Sequence, residues 1–331
     1  MSQTPESAAR PLVLGAGPHL RTSESTRRIM WWVNAALMPT AAWGVWAFGP
    51  PALEVIASAV AGAVGGEWLA TRALRQRATV GDGSAVCTGL LLALTLPPLV
   101  PWWAALIGGA FAILLGKMIF GGLGYNLFNP AMIGRAFMMA SFPVAMTTGW
   151  SVPGPRNWYI RLEAITTATP LGIMREQSVA AAIHSIGGPA GWLRLLMGLR
   201  PGSIGEVSVI LITVGALALL ARGIVRLHAP FGVFVGLAIM TSLTGAAWLH
   251  LLSGGVWLGA FFMATDYVTS PTTGRGQFLF GVIIGLLTGL IRIWGGYPEG
   301  ICFAILISNA TVPAINMWLR PRRLRAAGAP S

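Results

Sequence analysis

Three threonines, Thr166, Thr167 and Thr169, form a short row of hydroxyls in the one long polar segment of a largely apolar chain. Ala168 separates two of them, and Pro170 follows the last. A threonine hydroxyl with small neighbours is an accessible acceptor for a phosphoryl-linked group. A helix start has a similar sequence, because Thr is a good N-cap and Pro suits the first helical position. Local chemistry alone favours the helix cap over a modification site.

Carboxylates inside apolar runs form a second set of candidates. Asp266 lies where one such run breaks, and Glu67 lies within another. An ionisable group inside a membrane is costly, so each is a functional candidate. The sequence leaves open whether Asp266 holds a cation, caps a helix or serves a bound cofactor. Asp82 and Glu299 each precede an apolar run, where a carboxylate is typical of a helix N-terminus.

Two asparagines and two cysteines also lie in or beside the apolar runs. Asn129 and Asn309 are expected to hydrogen-bond unwound backbone where helices break. Cys87 and Cys302 are expected to be buried small hydrophobes. An iron–sulfur cluster ordinarily needs four thiolates, so this chain is not expected to ligate one by itself. The four histidines have no ligand spacing, and we expect no metal site.

Composition places these residues in a membrane protein. Of 331 residues, 55% are hydrophobic and only 10% are charged, whereas a soluble chain carries roughly 25% charged residues. Apolar runs near the roughly 20 residues that cross a bilayer recur throughout. The net charge of +12 is dispersed among loops. It therefore indicates membrane topology rather than binding to nucleic acid.

The fold class predicted is an all-α polytopic membrane protein with ten helices. The predicted spans are 29–48, 52–71, 84–99, 102–120 and 130–146, then 207–222, 231–251, 254–268, 278–293 and 299–319. The predicted organisation is a cytoplasmic N-terminal segment 1–28, a five-helix repeat 29–146, a loop 147–206 with the threonine row, a second five-helix repeat 207–319 and a basic cytoplasmic tail 320–331.

Charge and parity predict how the two repeats are oriented. With ten crossings, fifteen Lys and Arg residues fall on the side of the termini and six on the other. The excess marks the termini as cytoplasmic and the loop as external. Five spans before this loop and five after it give inverted topology. The short spans 84–99 and 254–268 occupy corresponding positions, as half-helices near mid-membrane do. Glycine-rich helix packing alone is the alternative explanation.

The sequence also resembles a known family. The carrying motifs are Phe-Met-Ala-Thr-Asp at 262–266, Thr-Thr-Gly-Arg-Gly at 272–276, Gly-Gly-Tyr-Pro-Glu-Gly at 295–300 and Thr-Val-Pro at 311–313. They resemble RnfD, a membrane component of the Rnf complex, which is an ion-translocating ferredoxin:NAD oxidoreductase. RnfD is similar to NqrB, a component of the sodium-pumping NADH:quinone reductase. The resemblance runs from about residue 20 to residue 323.

The resemblance implies a covalent flavin on the external loop. The family's attachment motif matches Glu163, Thr166, Thr167, Ala168 and Thr169, and its last threonine is linked to FMN through a phosphoester. Two positions depart from the common pattern, which has Asp in place of Glu163 and Gly in place of Thr167. Neither departure removes the acceptor hydroxyl of Thr169.

The resemblance further implies an enzyme subunit that is not active alone. It would relay electrons through FMN, within a translocase that couples ferredoxin and NAD(H) chemistry to movement of Na⁺ or H⁺. Asp266 is the ion-path candidate, and a non-covalent riboflavin among the helices is also implied. Expected partners are an FMN-bearing extracytoplasmic subunit, two membrane iron–sulfur subunits, soluble electron-input subunits and a flavin transferase. The expected location is the bacterial inner membrane.

Two alternatives remain open from the sequence. One keeps the redox role but makes the chain an NqrB-like component of a Na⁺-translocating NADH:quinone reductase. The other is a solute pore without a redox role, since the related fold resembles urea channels. The colour of the purified chain separates the pore from a redox subunit, because a flavoprotein is yellow and a pore is colourless.

Overall fold

A computed structural model describes residues 24–75, 79–158, 168–206, 208–296 and 299–319. Within these ranges the chain is built from helices, turns and loops, without a β-strand. The all-helical prediction is therefore confirmed for the described residues. By length and composition, three of their helices, Pro50–Ala73, Gly274–Trp294 and Ile301–Trp318, suffice to cross a membrane.

The first half of the chain has a helix at the start of each predicted span. These are α1 (Thr26–Phe48), α2 (Pro50–Ala73), α3 (Ser84–Thr95), α4 (Trp102–Ile113, continued by a π-helical turn over Leu114–Met118) and α5 (Pro130–Ser141), followed by the short α6 (Pro143–Thr148). As predicted for its span, α3 is short. It ends before Pro97, because a proline disfavours helical geometry in the residue before it and has no N–H to continue the helix.

The loop and the second half supply nine more helices in the described ranges. The loop carries α7 (Pro170–Glu176), α8 (Val179–Ser185) and α9 (Trp192–Met197). The second half carries α10 (Val209–Ala221), α11 (His228–Thr241), α12 (Ala247–Leu252), α13 (Val256–Leu258, continued by a π-helical turn over Gly259–Met263), α14 (Gly274–Trp294) and α15 (Ile301–Trp318).

Two predicted spans are broken in the structure. The range 130–146 was predicted as a single helix, but α5 ends at Ser141 and α6 begins at Pro143. The range 231–251 was predicted as a single helix, but α11 ends at Thr241 and α12 begins at Ala247. Gly245 between them has φ +70°, a left-handed conformation that favours glycine and interrupts a helix. The hydroxyls of Ser242 and Thr244 bond back to nearby carbonyls in the intervening turn, which competes with regular helix.

Helix α2 packs in parallel along α4. A Cβ atom on Gly62 would lie 2.0 Å from the carbonyl oxygen of Leu106, and one on Gly66 would lie 3.2 Å from Cα of Ala110. A step of four residues along α2 thus corresponds to a step of four residues in the same direction along α4, so the two helices are parallel. Small residues at four-residue spacing allow this close backbone approach in membrane proteins.

Helix α11 packs along α14 in the same manner. A Cβ on Gly232 would lie 2.3 Å from the carbonyl oxygen of Phe278, and one on Gly236 would lie 2.3 Å from that of Val282. The partner again advances by four residues in the same direction, so this pair is also parallel. The second half thus repeats the glycine-lined seam of the first.

Helices α5 and α15 join the two halves and run antiparallel. Asn129, at the start of α5, donates its backbone N–H to Oδ1 of Asn309 at 3.2 Å. Farther along α5, the Met132 carbonyl accepts from Sγ of Cys302 at 3.4 Å. Glycine contacts of the same kind make α4 antiparallel to α5 and α14 antiparallel to α15.

The core is shared between the halves, while the loop has a small core of its own. One large cluster of buried apolar side chains includes members of α1 to α5 and of α10 to α15. A separate cluster joins the loop helices to α12 through Ala182, Ile186, Leu195, Ala246 and Leu249. The loop is thereby packed onto the second half.

Candidate functional site

Thr169 lies immediately before α7 and caps it. Its Oγ1 accepts a hydrogen bond from the Gly172 backbone N–H at 3.2 Å, so the helix-cap interpretation is confirmed. The side chain is half-buried, and Ala168 beside it is exposed. The other members of the motif, Glu163, Thr166 and Thr167, lie outside the described residues.

The first residues of α7 lie against a turn that leads to a buried arginine. Pro170 and Leu171 are buried. A Cβ on Gly254 would lie 3.1 Å from Cδ1 of Leu171 and 2.6 Å from Nη2 of Arg292. Gly254 also has φ +70°, so glycine is needed here both for conformation and for space. Thr169 therefore begins a helix that packs on the Gly254 turn, and this turn contacts Arg292.

Arg292, near the end of α14, binds three backbone carbonyls. Its Nη1 donates to His250 O at 2.6 Å, its Nη2 to Ser253 O at 3.0 Å and its Nε to Glu299 O at 3.0 Å. The five donors of a guanidinium form a rigid fork suited to such multiple bonding. Arg292 therefore fixes the turn before α13 against the start of α15.

A buried ion pair joins α5 to Glu299, which lies two residues before α15. Arg135 contacts Oε2 of Glu299 through Nη2, and its Nη1 lies 3.6 Å from Oε1 of Glu206. Glu299 was expected to cap a helix, and this expectation is wrong. The N-cap of α15 is Gly300, with no side-chain cap bond. The carboxylate instead neutralises Arg135, because a buried charge needs an opposite partner.

Two residues of the loop complete this set of charges. Arg200 donates from Nη2 to the backbone carbonyl of Glu206 at 3.0 Å, and both side chains are buried. Burial, followed by repulsion from Glu299, raises the pKa of Glu206 to about 8, against the attraction of Arg135. Burial lowers the pKa of Arg200, because removal from water disfavours a charged group. We call Arg135, Arg200, Glu206, Arg292 and Glu299 the loop-side cluster.

The segment that carries Glu206 enters the helical core. The Ile204 N–H donates to Leu96 O at 3.0 Å, and the Gly205 N–H donates to Leu94 O at 2.7 Å. The last carbonyls of α3 therefore receive partners from the loop, which a helix end buried away from water requires. A Cβ on Gly205 would lie only 2.5 Å from that of Leu94.

A second buried set of charges surrounds the start of α3. Lys117, in the π-helical turn after α4, donates from Nζ to Oε1 of Glu67 at 2.7 Å and to Oγ of Ser84 at 2.6 Å. The Lys117 and Glu67 side chains are 1% and 0% exposed. Asp82 accepts from the Ser84 N–H at 2.7 Å, so its predicted capping role is confirmed. We call Glu67, Asp82, Ser84 and Lys117 the Lys117 cluster.

Asp266 follows the π-helical turn of α13 and lies in a network of neutral groups. Its Oδ2 accepts from Oγ1 of Thr269 at 3.0 Å, and no basic side chain in the described ranges pairs with it. Asn309 donates from Nδ2 to Thr269 O at 3.0 Å, and Oδ1 of Asn129 accepts from the Ala131 N–H at 3.1 Å. Both asparagines therefore bond to backbone at helix breaks, as predicted.

Asp266 and the Lys117 cluster share one cavity, which Thr169 does not line. Asp266, Lys117, Ser84 and Asn129 are among its lining residues, and its volume is about 90 Å³. The structure therefore brings the ion-path candidate together with the Lys117 cluster. The flavin-attachment candidate instead begins α7, whose Leu171 packs on the Gly254 turn beside Arg292 of the loop-side cluster.

Sequence reasoning missed the roles of four charged residues. Charge counting assigns Lys117, near the end of the predicted span 102–120, to the cytoplasmic side and Arg200 to the external loop. Arg135 is noted only as lying within a predicted span. Glu206 does not stand out from residue type alone. The available signal is a single charge beside or inside an apolar run, as the sequence shows for Glu206 just before α10. The partners could not be identified, because they are distant in the sequence.

Comparison with protein families gives one match over nearly the whole chain. Residues 13–325 match the model of the NQR2, RnfD, RnfE family. A protein of Clostridium ljungdahlii, named as the D subunit of a proton-translocating ferredoxin:NAD(+) oxidoreductase complex, is 43% identical over 317 residues. The match covers 93% of this chain and 94% of the relative.

Two further relatives carry related names. The D subunit of a Na(+)-translocating ferredoxin:NAD(+) oxidoreductase complex from Acetobacterium woodii is 40% identical over 314 residues, covering 94% of each chain. The D subunit of an ion-translocating oxidoreductase complex from Stutzerimonas stutzeri is 40% identical over 328 residues, covering 90% of this chain and 92% of the relative. The first two relatives have different ions in their names at similar identity.

Proposed function

The chain belongs to the NQR2, RnfD, RnfE family, and from this premise we propose that it is the RnfD component of an ion-translocating ferredoxin:NAD oxidoreductase complex. The observation that carries this proposal is similarity to the D subunits of such complexes over more than nine-tenths of the chain. The chain would act as a membrane subunit of this translocase. Its partners would be the other subunits of the complex, in a bacterial inner membrane.

We propose that FMN is attached through a phosphoester to Thr169. The surroundings fit this group, because the hydroxyl is half-buried beside exposed Ala168. Among the described residues, a Cβ on Gly172 would have only Thr169 Oγ1 within 4 Å, at 3.3 Å, so these residues leave space on that side of the acceptor oxygen. When bound, FMN supplies one- and two-electron redox chemistry. The protein supplies its position, through the packing of Leu171 on the Gly254 turn.

Denaturing electrophoresis with in-gel flavin fluorescence tests this attachment. Thr169→Ala is expected to abolish fluorescence of the denatured band, because the acceptor oxygen is lost. Thr169→Ser should keep part of it, because a hydroxyl remains. Thr166→Ala and Thr167→Ala are the matched controls and should retain fluorescence. A Thr169→Ala band as bright as that of the wild type would contradict the assignment.

For a second, non-covalent flavin we assign no residues. The resemblance implies riboflavin among the helices. The cavity beside Asp266, at about 90 Å³, is smaller than the roughly 300–1,000 Å³ of ordinary ligand pockets. We therefore leave the position of riboflavin unassigned.

The two halves of the chain, in our proposal, form inverted five-helix repeats around an external loop. Helices α2 and α4 are parallel to each other, and so are α11 and α14. The chain of antiparallel contacts from α4 through α5 and α15 to α14 makes the first pair opposite in direction to the second. This is the relation that inverted topology requires. Because α2 and α4 run in the same direction, the chain between them has to return across the bundle. This supports a crossing made by α3 and the extended residues after it.

Cysteine labelling tests the topology. Asn157 is buried and bonds to Ala47 O and Val152 O, so the probe is its exposed neighbour Trp158. A cysteine replacing Trp158 should react with a membrane-impermeant maleimide added to intact cells. A cysteine replacing Ala326 should react only after permeabilisation. The reverse pattern would overturn both the topology and the external location of the flavin.

We propose that Asp266 takes part in ion coupling. Its support is a carboxylate without a basic partner among the described residues, bonded to Thr269 beside a helix break. Asp266→Asn removes the charge at nearly constant size, so the variant should assemble and bind FMN. It should lose redox-driven ion gradients in proteoliposomes. An unchanged ratio of ions to electrons would refute the coupling role, and failed assembly would favour a structural one.

A further inference from the structure

An aromatic groove lies on the second half, at the start of the parallel helices α11 and α14. Its volume is about 870 Å³, and its walls include Phe231, Phe234, Phe261 and Phe278. The Phe231 and Phe278 rings stack with centroids 6.0 Å apart, and their side chains are 62% and 38% exposed. The groove is therefore an open apolar surface on a membrane protein, and it has no part in the clusters described above.

The mouth of the groove is basic. Arg275 and His228 line it and are exposed, and no acidic residue lines the groove among the residues that the structure describes. Arg275 has no ion-pair partner within the described ranges. Both helices begin here, at His228 and Gly274, so the positive ends of their dipoles face the same point.

We propose that this groove binds an anionic phospholipid. One acyl chain lies on the aromatic wall, and the phosphate is held by Arg275 and His228. The assignment rests on charge complementarity, because the polar side chains that line the mouth, among the residues that the structure describes, are basic. Basic pockets between membrane helices on the cytoplasmic side are suited to anionic headgroups. A zwitterionic lipid offers the same chains but carries no net charge to match this mouth.

The experiment is lipid retention by the purified full-length chain, measured by native mass spectrometry after titration with phosphatidylglycerol or phosphatidylcholine. Wild type is expected to retain phosphatidylglycerol preferentially. Arg275→Ala should lower that retention about fivefold, the effect of removing one basic residue near an anionic headgroup. Arg275→Lys should keep most of it, because the charge remains.

Arg72→Ala is the matched control. Arg72 is an exposed arginine at the same end of the bundle in the first half, with its guanidinium 5.6 Å from the Trp68 ring, and it does not line the aromatic groove. This variant should retain phosphatidylglycerol as wild type does. Phe231→Ala, which leaves the charges intact and alters an exposed ring, should weaken retention of both lipids.

Three results would overturn the proposal. Equal retention of the two lipids by wild type would remove the headgroup preference. Equal losses in Arg275→Ala and Arg72→Ala would reduce the effect to general surface charge. Retention by the isolated chain that disappears in the assembled complex would make the groove a contact with another subunit. None of these results depends on the flavin, so the lipid site and the proposed redox function can fail separately.

Discussion

Each half has a buried cation at a corresponding position, but the two cations have different kinds of hydrogen-bond partner. In the first half, Lys117 at the end of α4 reaches the start of the short α3 and bonds to Glu67 and Ser84. In the second, Arg292 near the end of α14 reaches the turn before the short α13 and bonds to three carbonyls. The corresponding helix pairs are alike, but the first cation is bound by side chains and the second by backbone.

The difference shows how each half is specialised. An ammonium that bonds to a carboxylate forms a neutral pair that is complete within the first half. A guanidinium that bonds to carbonyls keeps its charge, which interacts first with Glu299 and then with Glu206, and both of these also face Arg135. Because Glu206 belongs to the loop, the second half is electrostatically linked to the segment that carries Thr169. The first half is linked to the loop as well, through Arg135 and Glu206, but its Lys117–Glu67 pair takes no part in that link.

Breaking the Lys117–Glu67 pair should have the largest effect on stability. Glu67→Leu leaves the Lys117 ammonium buried without its carboxylate, a loss of about 3–5 kcal/mol. The midpoint of thermal unfolding in detergent should fall accordingly. The double variant with Lys117→Met removes both charges and should recover most of the loss. A single variant as stable as wild type would show that the ion pair is not buried in the protein.

The two glycine seams should respond alike. A Cβ would lie 2.2 Å from Ala59 O at Gly109 and 2.2 Å from Val233 O at Gly285. Gly109→Ala and Gly285→Ala should therefore each cost about 1–3 kcal/mol through overpacking. Gly65→Ala, where nothing lies within 4 Å, is the control and should not destabilise. A loss in only one seam, measured by thermal unfolding, would contradict their equivalence.

Glu206 should make stability depend on pH. Its folded pKa of about 8 lies above the ordinary value of 4.5, so the folded state keeps a proton that the unfolded state releases between these values. Stability should therefore fall as pH rises from about 4.5 to 8, by at most about 1.4 kcal/mol per unit. Glu206→Gln should flatten the slope of unfolding midpoint against pH. Glu176→Gln, at an exposed loop carboxylate, should leave it unchanged.

Arg292→Lys should have the smallest effect. A lysine keeps the charge but cannot reproduce the fork, so at least one of the three carbonyls loses its donor, at about 1 kcal/mol. Lys117→Arg is the reciprocal test in the first half, where the partners are side chains. If Arg292→Lys unfolds at the wild-type midpoint, the guanidinium geometry is not what fixes the turn before α13.

Much of the fold could be predicted from periodicity, because apolar runs and their breaks are local. The helix start at Thr169, the cap at Asp82 and the roles of Asn129 and Asn309 all followed from residue type and position. The break at Gly245 was missed, since its neighbours are apolar enough to continue a helix. A glycine inside an apolar run does not reveal its φ angle.

The buried charges could not be predicted, because their partners are distant in the chain. Lys117 and Glu67 are 50 residues apart, and Arg135 and Glu299 are 164 apart. Burial of Glu206 depends on a loop segment entering the core, which no local pattern indicates. Charge counting placed Lys117 at the cytoplasmic interface, since a lysine near the end of an apolar run is ordinarily found there.

The bonds from the loop to the end of α3 also set an order of biosynthesis. The carbonyls of Leu94 and Leu96 receive their donors from Ile204 and Gly205, more than 100 residues later in the chain. Synthesis from the N-terminus makes α3 long before those donors exist. The first half therefore reaches its final form only after the ribosome has made the whole loop. In a nascent chain that stops before residue 204, the end of α3 lacks these donors, and we expect quality-control proteases to recognise it.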